Sequence, residues 1–598
     1  MAGYQAPLRD MQFVMNELAD LAGVGRLPGY ADATPELVDS VLDAAGKFAA
    51  DVLAPLNVSG DRQGAGFKDG VVTTPQGFKQ AYLRFVQDGW NALAIPAEHG
   101  GQGLPQLVSA AVQEMWQAAN MSFALCSLLT QGAVHALILC GSPQLKKLFL
   151  PKMISGDWTG TMNLSEPQAG SDLAAVRCRA QREGEHYRIS GQKIFITYGE
   201  HNWTENIIHL VLARTPDAPA GVKGISMFLV PKFLVNTDGT LGKRNDVQCA
   251  SIEHKLGIHA CPTAVLSYGE NQGALGYLIG EENRGLEYMF IMMNLARFDV
   301  GVQGLGISDR AWQQARAYAK ERVQSADISE PRGQPVTIIH HPDVRRMLMS
   351  MKSRVEAMRA VAYVIAAELD RSLRLADENE RARAQSFVDL MIPVVKGWCT
   401  ENAVDITSLG IQVHGGMGYI EETGAAQHFR DARISTIYEG TTGIQAKDLI
   451  GRKIARDKGE TAKALISVMR ATESELAKAK DNELKAIHAR LKAGIDAMEQ
   501  AVDWLVNHYA GNVKAAAAGS VPFLLLVGIV SGGWQMARAA LAAQNKLEAG
   551  GGDAGFYQAK LGTARFYADH ELPKAIALKE SIVGGATGVL ALSEEQFA

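Results

Sequence analysis

The sequence predicts an α+β multidomain protein in which helical segments flank a compact β domain. Apolar residues recur at helical spacing before about residue 160, short β-branched segments follow to about residue 280, and helical periodicity then resumes. At 598 residues the chain is too long for a single core, so several domains are expected. The absence of strand–helix alternation argues against a doubly wound parallel sheet.

Changes in pattern place the predicted domain boundaries. We predict an N-terminal extension over residues 1–35, followed by an N-terminal helical domain over 36–159 and a β domain over 160–280. A helical bundle is predicted over 281–455 and a C-terminal helical domain over 456–598. The polar stretch QSADISEPRGQP (324–335) is predicted to be a loop within the bundle, and NKLEAGGGDAG (545–555) a flexible loop within the last domain.

The N-terminal helical domain is predicted from amphipathic runs. LVDSVLDAAGKFAADVLAPL and TPQGFKQAYLRFVQDGW both place apolar residues at three-to-four spacing. The turn-rich stretch IPAEHGGQGLP breaks the pattern, and a further helical run through MWQAANMSFALCSLLTQGAVHALILCG follows it. Residues 36–150 are therefore expected to be mostly helical.

The β domain is predicted from short, partly alternating segments rich in β-branched residues. They are separated by Gly, Pro and Asp, which favour turns over regular structure. The segments are HYRISGQKIFIT, ENIIHLVLART, GISMFLVPKFLV and TAVLSYGE.

Helical periodicity returns after GEENRG (280–285). The bundle begins with YMFIMMNLARFDVGVQGLGISDRAWQQARAYAKERV and is expected to continue to about residue 455. The last domain opens with a charged, amphipathic run from Lys458 to Val502.

Composition and charge exclude several classes of protein. With 47% hydrophobic and 21% charged residues, the chain has the composition of an ordinary globular protein. The formal net charge of −5 argues against nucleic-acid binding, which needs a basic excess on one face. The six cysteines form no CxxC pair, so neither a disulfide framework nor a zinc site is expected, and a reducing compartment is favoured.

Two further features bear on location. The N-terminal stretch MAGYQAPLRDMQFVMNELADL carries acidic residues early and does not resemble a signal peptide. The apolar run VPFLLLVGIV (521–530) is about half as long as a bilayer span requires. We therefore expect a cytoplasmic protein with no integral membrane span.

Several common catalytic motifs are missing. No GxGxxG follows a predicted strand, and the sequence contains no GxxxxGK[ST], HExxH or GxSxG motif. His340 and His341 are adjacent, which is not the spacing of a helical ligand pair, so no metal site is expected.

A lone carboxylate, Glu439, lies in the uncharged interior of RISTIYEGTTGIQ (433–445). One interpretation is a surface loop in which Glu439 points to water. The other is a general base whose pKa is raised by a dry pocket, with Gly440 allowing another molecule to approach the backbone. The segment by itself leaves both interpretations open.

Four separated stretches together resemble the acyl-CoA dehydrogenase family. LSEPQAGSDLAAVRCRA (164–180) is similar to the family's L-[ST]-E-P-x-A-G-S-D signature, and GQKIFIT (191–197) to its G-x-K-x-[WF]-I-[TS]. Residues 280–324 resemble the family helix that ends in Y-A-x-x-R-x-Q. The fourth stretch combines QVHGGMGY (412–419) with FRDARISTIYEGTTGIQ (429–445). These stretches occur in family order.

The resemblance implies a fold with an N-terminal helical domain, a middle β-barrel domain and a helical bundle. The additional C-terminal helical domain resembles that of bacterial family members of about this length. The implied reaction is the FAD-dependent α,β-desaturation of an acyl-CoA thioester to the trans-2-enoyl-CoA, as in fatty acid β-oxidation, with electrons passed to electron-transferring flavoprotein. The substrate is expected to be either 3-methylmercaptopropionyl-CoA or a medium- or long-chain fatty acyl-CoA.

Two other functions are weighed against that expectation. An acyl-CoA oxidase would use the same base and flavin with oxygen as the acceptor. A scaffold that has lost catalysis is disfavoured because Glu439, Arg322 and the flavin segments are present.

The resemblance also implies roles at the substrate. Glu439 matches the catalytic base, and the alternative family position for a base is occupied here by Ala296, which cannot serve. Tyr438 and Gly440 would line the acyl site. Arg297 matches an arginine that supports CoA binding, and Asn294 stands where aspartate is common, which leaves that contact open.

For FAD, the resemblance implies contacts to the flavin ring and to the rest of the cofactor. The matching residues are Leu164, Ser165, Gly170, Ser171, Phe195, Thr197, Gln412, Gly415, Gly416 and Thr441. Arg322 matches the arginine that reaches the FAD pyrophosphate of a neighbouring subunit, where a fork-shaped cation suits two phosphates. Because the cofactor would then bridge two chains, a homodimer or a larger oligomer is expected. The usual Q-F-G after that arginine is replaced by Gln324-Ser325-Ala326, and His341 is a candidate to compensate.

Overall fold

The computed structural model describes residues 3–550 and 552–598, which form two compact units. The first, called here the helical unit, comprises Met1–Gly46, Pro105–Ala118 and Val300–Ala598. The second, called the β unit, comprises Lys47–Leu104 and Ala119–Asp299.

Helices make up most of the described chain, as the periodicity predicts. The helices are α1 Leu8–Phe13, α2 Leu21–Gly25, α3 Pro35–Phe48, α4 Ala54–Gln63, α5 Phe78–Gln87, α6 Gln106–Cys140, α7 Pro143–Ser155, α8 Gly285–Glu321, α9 Pro342–Arg374, α10 Glu378–His414, α11 Ala425–Ala432, α12 Thr442–Asp448, α13 Glu460–Leu476, α14 Asn482–His508, α15 Val513–Ala518, α16 Ser520–Glu548, α17 Ala554–His570, α18 Pro573–Gly584 and α19 Ala586–Val589.

The strands lie mostly between α7 and α8. They are β1 Gly66–Lys68, β2 Val71–Thr73, β3 Trp158–Asn163, β4 Arg179–Glu183, β5 His186–Thr197, β6 Asn206–Ala213, β7 Ser226–Pro231, β8 Phe233–Val235, β9 Leu241–Arg244, β10 Val247–Ile252, β11 Thr263–Tyr268, β12 Ala274–Ile279, β13 Val323–Ala326 and β14 Pro335–Thr337.

One eight-stranded sheet forms the centre of the β unit. Its order is β10-β11-β5-β12-β7-β6-β3, with β4 added to β5. All pairings are antiparallel except that of β3 with β6. Within the part of the chain that the structure describes, β10 and β3 lie at opposite ends of this path and do not pair. The predicted β-barrel domain is therefore confirmed as an open half-barrel.

Alternation along β6 divides its side chains between two cores. Ile208 and Leu210 pack into a cluster with apolar residues of α6 and α7, such as Phe149. Val211 and Ala213 face a second cluster of sheet residues on the other side. Because both faces of β6 are covered, its sequence NIIHLVLA is almost continuously apolar.

Residues 36–150, which were expected to be mostly helical, contain a short hairpin and a break within α6. β1 and β2 form a three-pair hairpin between α4 and α5. α6 is interrupted at Asn120, whose φ of −160° and ψ of 90° are not helical. The Asn120 side chain accepts the backbone N–H of Phe123 at 3.1 Å and donates to the Leu53 carbonyl at 3.3 Å, which satisfies the groups freed by the break.

Two predicted loops also differ in part from the structure. The inserted stretch after Arg322 contains the short hairpin β13–β14 instead of a structureless loop. His341 Nε2 lies 2.7 Å from the Gln324 carbonyl oxygen and ties this hairpin to the start of α9. The stretch 545–555 begins inside α16, which ends at Glu548, so the connection to α17 is shorter than expected.

Among residues 3–550 and 552–598, two helices, α6 and α16, are long and apolar enough to cross a membrane by length and composition alone. The apolar run 521–530 is therefore part of α16, a helix that is longer than the run itself. In their most apolar windows, 78% and 83% of the residues are buried inside the protein, respectively. Burial of that extent is typical of core helices, and such helices are weak evidence for a membrane span.

Burial of Asp299 on α8 gives a testable pH dependence. Its side chain is buried, and desolvation raises its pKa from 3.8 to about 8. Because the folded protein holds the proton of Asp299 more tightly than the unfolded chain does, its contribution to the free energy of unfolding is fully present below pH 3.8. That contribution is lost at about 1.4 kcal/mol per pH unit as the pH rises toward 8. Asp299→Asn is expected to unfold at a higher temperature than the parent at pH 8 and to lose that advantage near pH 4.

The measurement is thermal unfolding at several pH values between 4 and 8. The exposed Asp217→Asn serves as control and should follow the parent at every pH. If the unfolding temperatures of Asp299→Asn and the parent changed with pH in the same way, ionisation of the buried carboxyl group would not destabilise the protein.

Candidate active site

The turn after β3 is fixed to β5 by a buried ion pair. Lys193 is fully buried, and its Nζ lies 2.8 Å from Glu166 Oε1 and donates to the Leu164 carbonyl at 2.9 Å. Glu166 also accepts the backbone N–H groups of Arg177 at 2.7 Å and Cys178 at 3.1 Å. Burial acts to raise the pKa of Glu166, but the Lys193 ammonium and these donors hold it below its ordinary value. The turn that carries Leu164 is therefore held in one conformation.

The remaining residues of this segment face open space. Ser165 is half-buried, and its carbonyl accepts the N–H of Ile194 on β5 at 3.0 Å. Gly170 and Ser171 are exposed, and a Cβ added at Gly170 would meet no atom within 4 Å. A ligand can therefore lie directly against this backbone.

Phe195 on β5 has an unusual backbone. Its φ is 60°, which is a strained conformation for a bulky residue, and its ring is 60% exposed. Strain of this kind is concentrated at ligand sites, and an exposed ring is available for stacking. Thr197, two residues later, is half-buried and pairs with Thr263 of β11.

Asn294 and Arg297 lie one turn apart near the start of α8. Arg297 Nη1 is 3.4 Å from Asn294 Oδ1, and the guanidinium lies 5.8 Å from the centre of the Phe290 ring. Arg297 is buried and Asn294 half-buried, so the arginine is better placed to orient Asn294 than to present its charge to solvent.

In the helical unit, Glu439 lies in strained backbone. Its φ is 55° and that of Gly440 is 89°, and the Glu439 side chain is half-buried. Gln445 Nε2 donates to the Glu439 carbonyl at 3.0 Å, and Lys396 Nζ of α10 donates to the Gly440 carbonyl at 2.7 Å. Both Gln445 and Lys396 are fully buried. The backbone on both sides of the carboxylate is therefore firmly held, while the side chain itself is partly exposed.

Tyr438 continues this support. Its hydroxyl donates to Gln303 Oε1 of α8, and Gln303 Nε2 donates to Gln117 Oε1 at 2.9 Å. Both glutamines are buried. The side chain that precedes Glu439 is therefore fixed by a buried chain of amides.

The other predicted cofactor residues of the helical unit lie at element ends. Thr441 is the N-cap of α12 and accepts the N–H of Ile444 at 3.3 Å. Gln412, Gly415 and Gly416 are exposed at and after the end of α10, and a Cβ at either glycine would meet no atom within 4 Å. Arg322 is exposed directly after α8.

Each unit, taken by itself, has exposed surface that a cofactor could contact. The exposed fraction is 60% for Phe195 in the β unit, and 49% and 84% for Met417 and Tyr419 in the helical unit. Each of these exposed side chains could pack against an aromatic ring. The open approaches at Gly170 and Gly415 would admit a phosphate or sugar next to the backbone.

Comparison with protein families accounts for nearly the whole chain. The acyl-CoA dehydrogenase N-terminal, middle and C-terminal domains match residues 36–157, 161–270 and 283–455, and an acetyl-CoA dehydrogenase C-terminal-like domain matches residues 465–593. The chain belongs to the acyl-CoA dehydrogenase family. It is therefore an oxidoreductase, FAD is the family cofactor, and the resemblance of the four sequence stretches is confirmed.

Similar curated proteins match end to end. A 3-methylmercaptopropionyl-CoA dehydrogenase of Ruegeria pomeroyi is 49% identical, over 99% of this chain and 100% of the relative. A butyryl-CoA dehydrogenase of Syntrophomonas wolfei is 36% identical, over 99% of both chains. The broad-specificity linear acyl-CoA dehydrogenase FadE5 of Mycobacterium tuberculosis is 34% identical over the full length of both.

Solved structures agree on the fold. Caenorhabditis elegans ACDH-11 in complex with C11-CoA superposes with a TM-score of 0.75 at 20% identity, over 95% of this chain and 92% of that one. The Bacillus anthracis acyl-CoA dehydrogenase complexed with FAD gives 0.73 at 20% identity, over 96% and 91%.

Sequence reasoning missed the side chains that support the predicted site residues. Lys193, Glu166, Lys396 and Gln445 make these contacts from buried positions. Glu166, Lys193 and Gln445 lie inside the quoted motifs, although no role was assigned to them there. The signal for Lys396 was an isolated lysine in a largely apolar stretch, LMIPVVKGWC.

Proposed function

We propose that the chain catalyses the FAD-dependent α,β-desaturation of an acyl-CoA thioester to the trans-2-enoyl-CoA, with Glu439 as the base. The observation that carries this proposal is the Glu439 segment, a strained carboxylate-bearing turn held by two fully buried side chains. A surface loop, the alternative interpretation, would have no reason to be fixed in this way. Electron-transferring flavoprotein is the proposed acceptor, and the cytoplasm the proposed location.

In this mechanism the Glu439 carboxylate takes the α-proton of the thioester. That proton is far less acidic than a carboxylic acid, so the thioester oxygen must be stabilised as negative charge develops on it. The backbone N–H of Glu439 is the proposed donor to that oxygen. Bound FAD supplies the acceptor for the β-hydrogen, which leaves as hydride. Tyr438 and Gly440 bound the space in which the acyl chain lies.

Residues that would contact FAD are proposed in each unit. The flavin ring would be held by Leu164, Ser165, Phe195 and Thr197. At Gly170 and Ser171 the cofactor would lie directly against the backbone. The remaining cofactor residues are Arg322, Gln412, Gly415, Gly416 and Thr441. Arg322 and the segment after α10 would receive the FAD of a second copy, which makes a homodimer the simplest assembly. Their exposure supports that assignment.

For the substrate we propose a short thioether acyl-CoA, 3-methylmercaptopropionyl-CoA. The support is the 49% identity, over the full length, to a relative of that name. Straight-chain acyl-CoAs, as in fatty acid β-oxidation, are the second candidate because the butyryl-CoA and broad-specificity relatives also match end to end. Arg297 and Asn294 would support the CoA moiety.

The experiment is anaerobic bleaching of the bound flavin by a panel of acyl-CoAs running from 3-methylmercaptopropionyl-CoA and butyryl-CoA to palmitoyl-CoA. The thioether substrate is expected to react fastest. Faster bleaching by a straight-chain acyl-CoA would show that the thioether is not the preferred substrate. No bleaching by any acyl-CoA of the panel would contradict the proposed desaturation. Oxygen consumption without another acceptor would identify an oxidase.

Glu166→Gln is expected to weaken FAD binding. The change leaves the Lys193 ammonium buried without its carboxylate, which costs about 3–5 kcal/mol and loosens the turn at Leu164. The FAD content after gel filtration and the FAD dissociation constant should both report the loss. The control is Glu183→Gln on the exposed edge strand β4, which should retain FAD. Full FAD content in Glu166→Gln would contradict the assignment.

A further inference from the structure

Lys396 is a fully buried lysine of α10 next to the proposed base. Its Nζ donates to the Gly440 carbonyl at 2.7 Å, in the peptide that follows Glu439. Burying an ammonium is costly, and an apolar residue of similar size would fill the same space without that cost. A stability role alone therefore does not account for a lysine here.

α10 contacts the same turn a second time. Thr442 Oγ1 donates to Glu401 Oε1 at 2.5 Å, so charged side chains of α10 reach the turn on both sides of Thr441. The contact from Lys396 falls on the glycine with a φ of 89°, directly after the residue with a φ of 55°. A left-handed conformation costs glycine little, but at a residue such as Glu439 it persists only where the surroundings impose it.

We propose that Lys396 is a positioning residue for the desaturation, holding the Glu439–Gly440 peptide in the conformation that aims the carboxylate and its N–H at the substrate. This inference rests on the proposed function, because it assigns Lys396 a role through Glu439. Lys396 acts on the Gly440 carbonyl and need not touch the substrate.

The test compares Lys396→Met, which removes the donor, with Lys396→Gln, which retains a shorter uncharged donor. The first readout is exchange of the substrate α-hydrogen with solvent deuterium, which follows the base step separately from flavin bleaching. Displacement of a catalytic group by about 1 Å can cost 10²-fold. We expect exchange about 10²-fold slower in Lys396→Met and an intermediate rate in Lys396→Gln, with FAD content and the acyl-CoA dissociation constant unchanged.

Lys560→Met is the matched control because Lys560 is also a buried lysine of the helical unit, distant in sequence from the Glu439 turn. It should lower the unfolding temperature and leave the exchange rate per bound FAD unchanged. A parent-like exchange rate in Lys396→Met would overturn the inference, as would a Lys396→Gln rate no higher than that of Lys396→Met. If Lys396→Met does not fold, Lys396→Gln decides: slower exchange at unchanged acyl-CoA affinity supports the inference, and an unchanged rate overturns it.

Glu439→Gln separates this inference from the proposed function. Exchange that persists in Glu439→Gln means that Glu439 is not the base, and the proposed function fails at that residue. Exchange abolished in Glu439→Gln but unchanged in Lys396→Met means that only the role of Lys396 fails.

Discussion

Glu439→Gln is expected to lower the rate of flavin bleaching by acyl-CoA by at least about 10³-fold, within the range that positioned general bases contribute. The amide retains the size of the side chain and the backbone N–H of residue 439, but it cannot accept the α-proton. Both buried supports of the turn bond to the backbone, so the substitution leaves them in place. FAD content and acyl-CoA affinity should therefore stay close to those of the parent.

The measurement is stopped-flow bleaching under anaerobic conditions with saturating substrate, together with the flavin spectrum of the purified protein. Glu460→Gln, an exposed carboxylate at the start of α13 in the same unit, serves as control and should bleach at the parent rate. Substantial bleaching in Glu439→Gln would place the base elsewhere. Loss of FAD in the variant would indicate that Glu439 has a structural role as well.

Arg359→Met is expected to cause a large loss of stability. Arg359 on α9 is buried and bonds to three carboxylates: Glu114 Oε1 at 2.5 Å, Asp10 Oδ2 at 2.5 Å and Asp309 Oδ1 at 3.3 Å. Lys560 of α17 also pairs with Asp10. These contacts join α1 and α17 to the centre of the helical unit.

Charge balance in this cluster depends on the guanidinium. Burial acts to raise the pKa of Asp10, but the Lys560 ammonium and the Arg359 guanidinium hold it well below its usual range. Burial raises the pKa of Glu114 and of Asp309. Removing the guanidinium leaves Glu114 and Asp309 without their cation, while Asp10 keeps Lys560, and such losses cost about 3–5 kcal/mol.

The measurement is the midpoint of thermal and guanidinium unfolding at pH 7. Arg346→Met, also on α9, is the control: Arg346 and its partner Asp343 are 52% and 72% exposed, so the loss should stay within about 1 kcal/mol. Unfolding of Arg359→Met at the parent temperature would show that the cluster contributes no net stability.

The sequence determined the order of helical and β segments because each segment must bury one periodic face, and periodicity is a local property of the chain. β5, β6 and β7 were found for that reason. The hairpins β1–β2 and β13–β14 were missed, since strands of three or four residues are too short to show a period. The interruption of α6 at Asn120 gave no signal, because a single asparagine leaves the apolar periodicity on both sides of it unchanged.

Some residues of the candidate site could likewise be identified from the sequence, whereas others became apparent only in the structure. Glu439, Phe195 and the glycines were identified from contiguous motifs, because a turn that approaches a ligand needs particular residues in sequence. The structure alone showed that Phe195 and Glu439 are both in strained conformations. It also showed that Lys193 and Lys396 are buried beneath these segments. Lys193 lies 29 residues from Leu164, and Lys396 lies 44 residues from Gly440, the residues to which they donate. Contacts over such separations are decided by packing of distant elements, which no local pattern encodes.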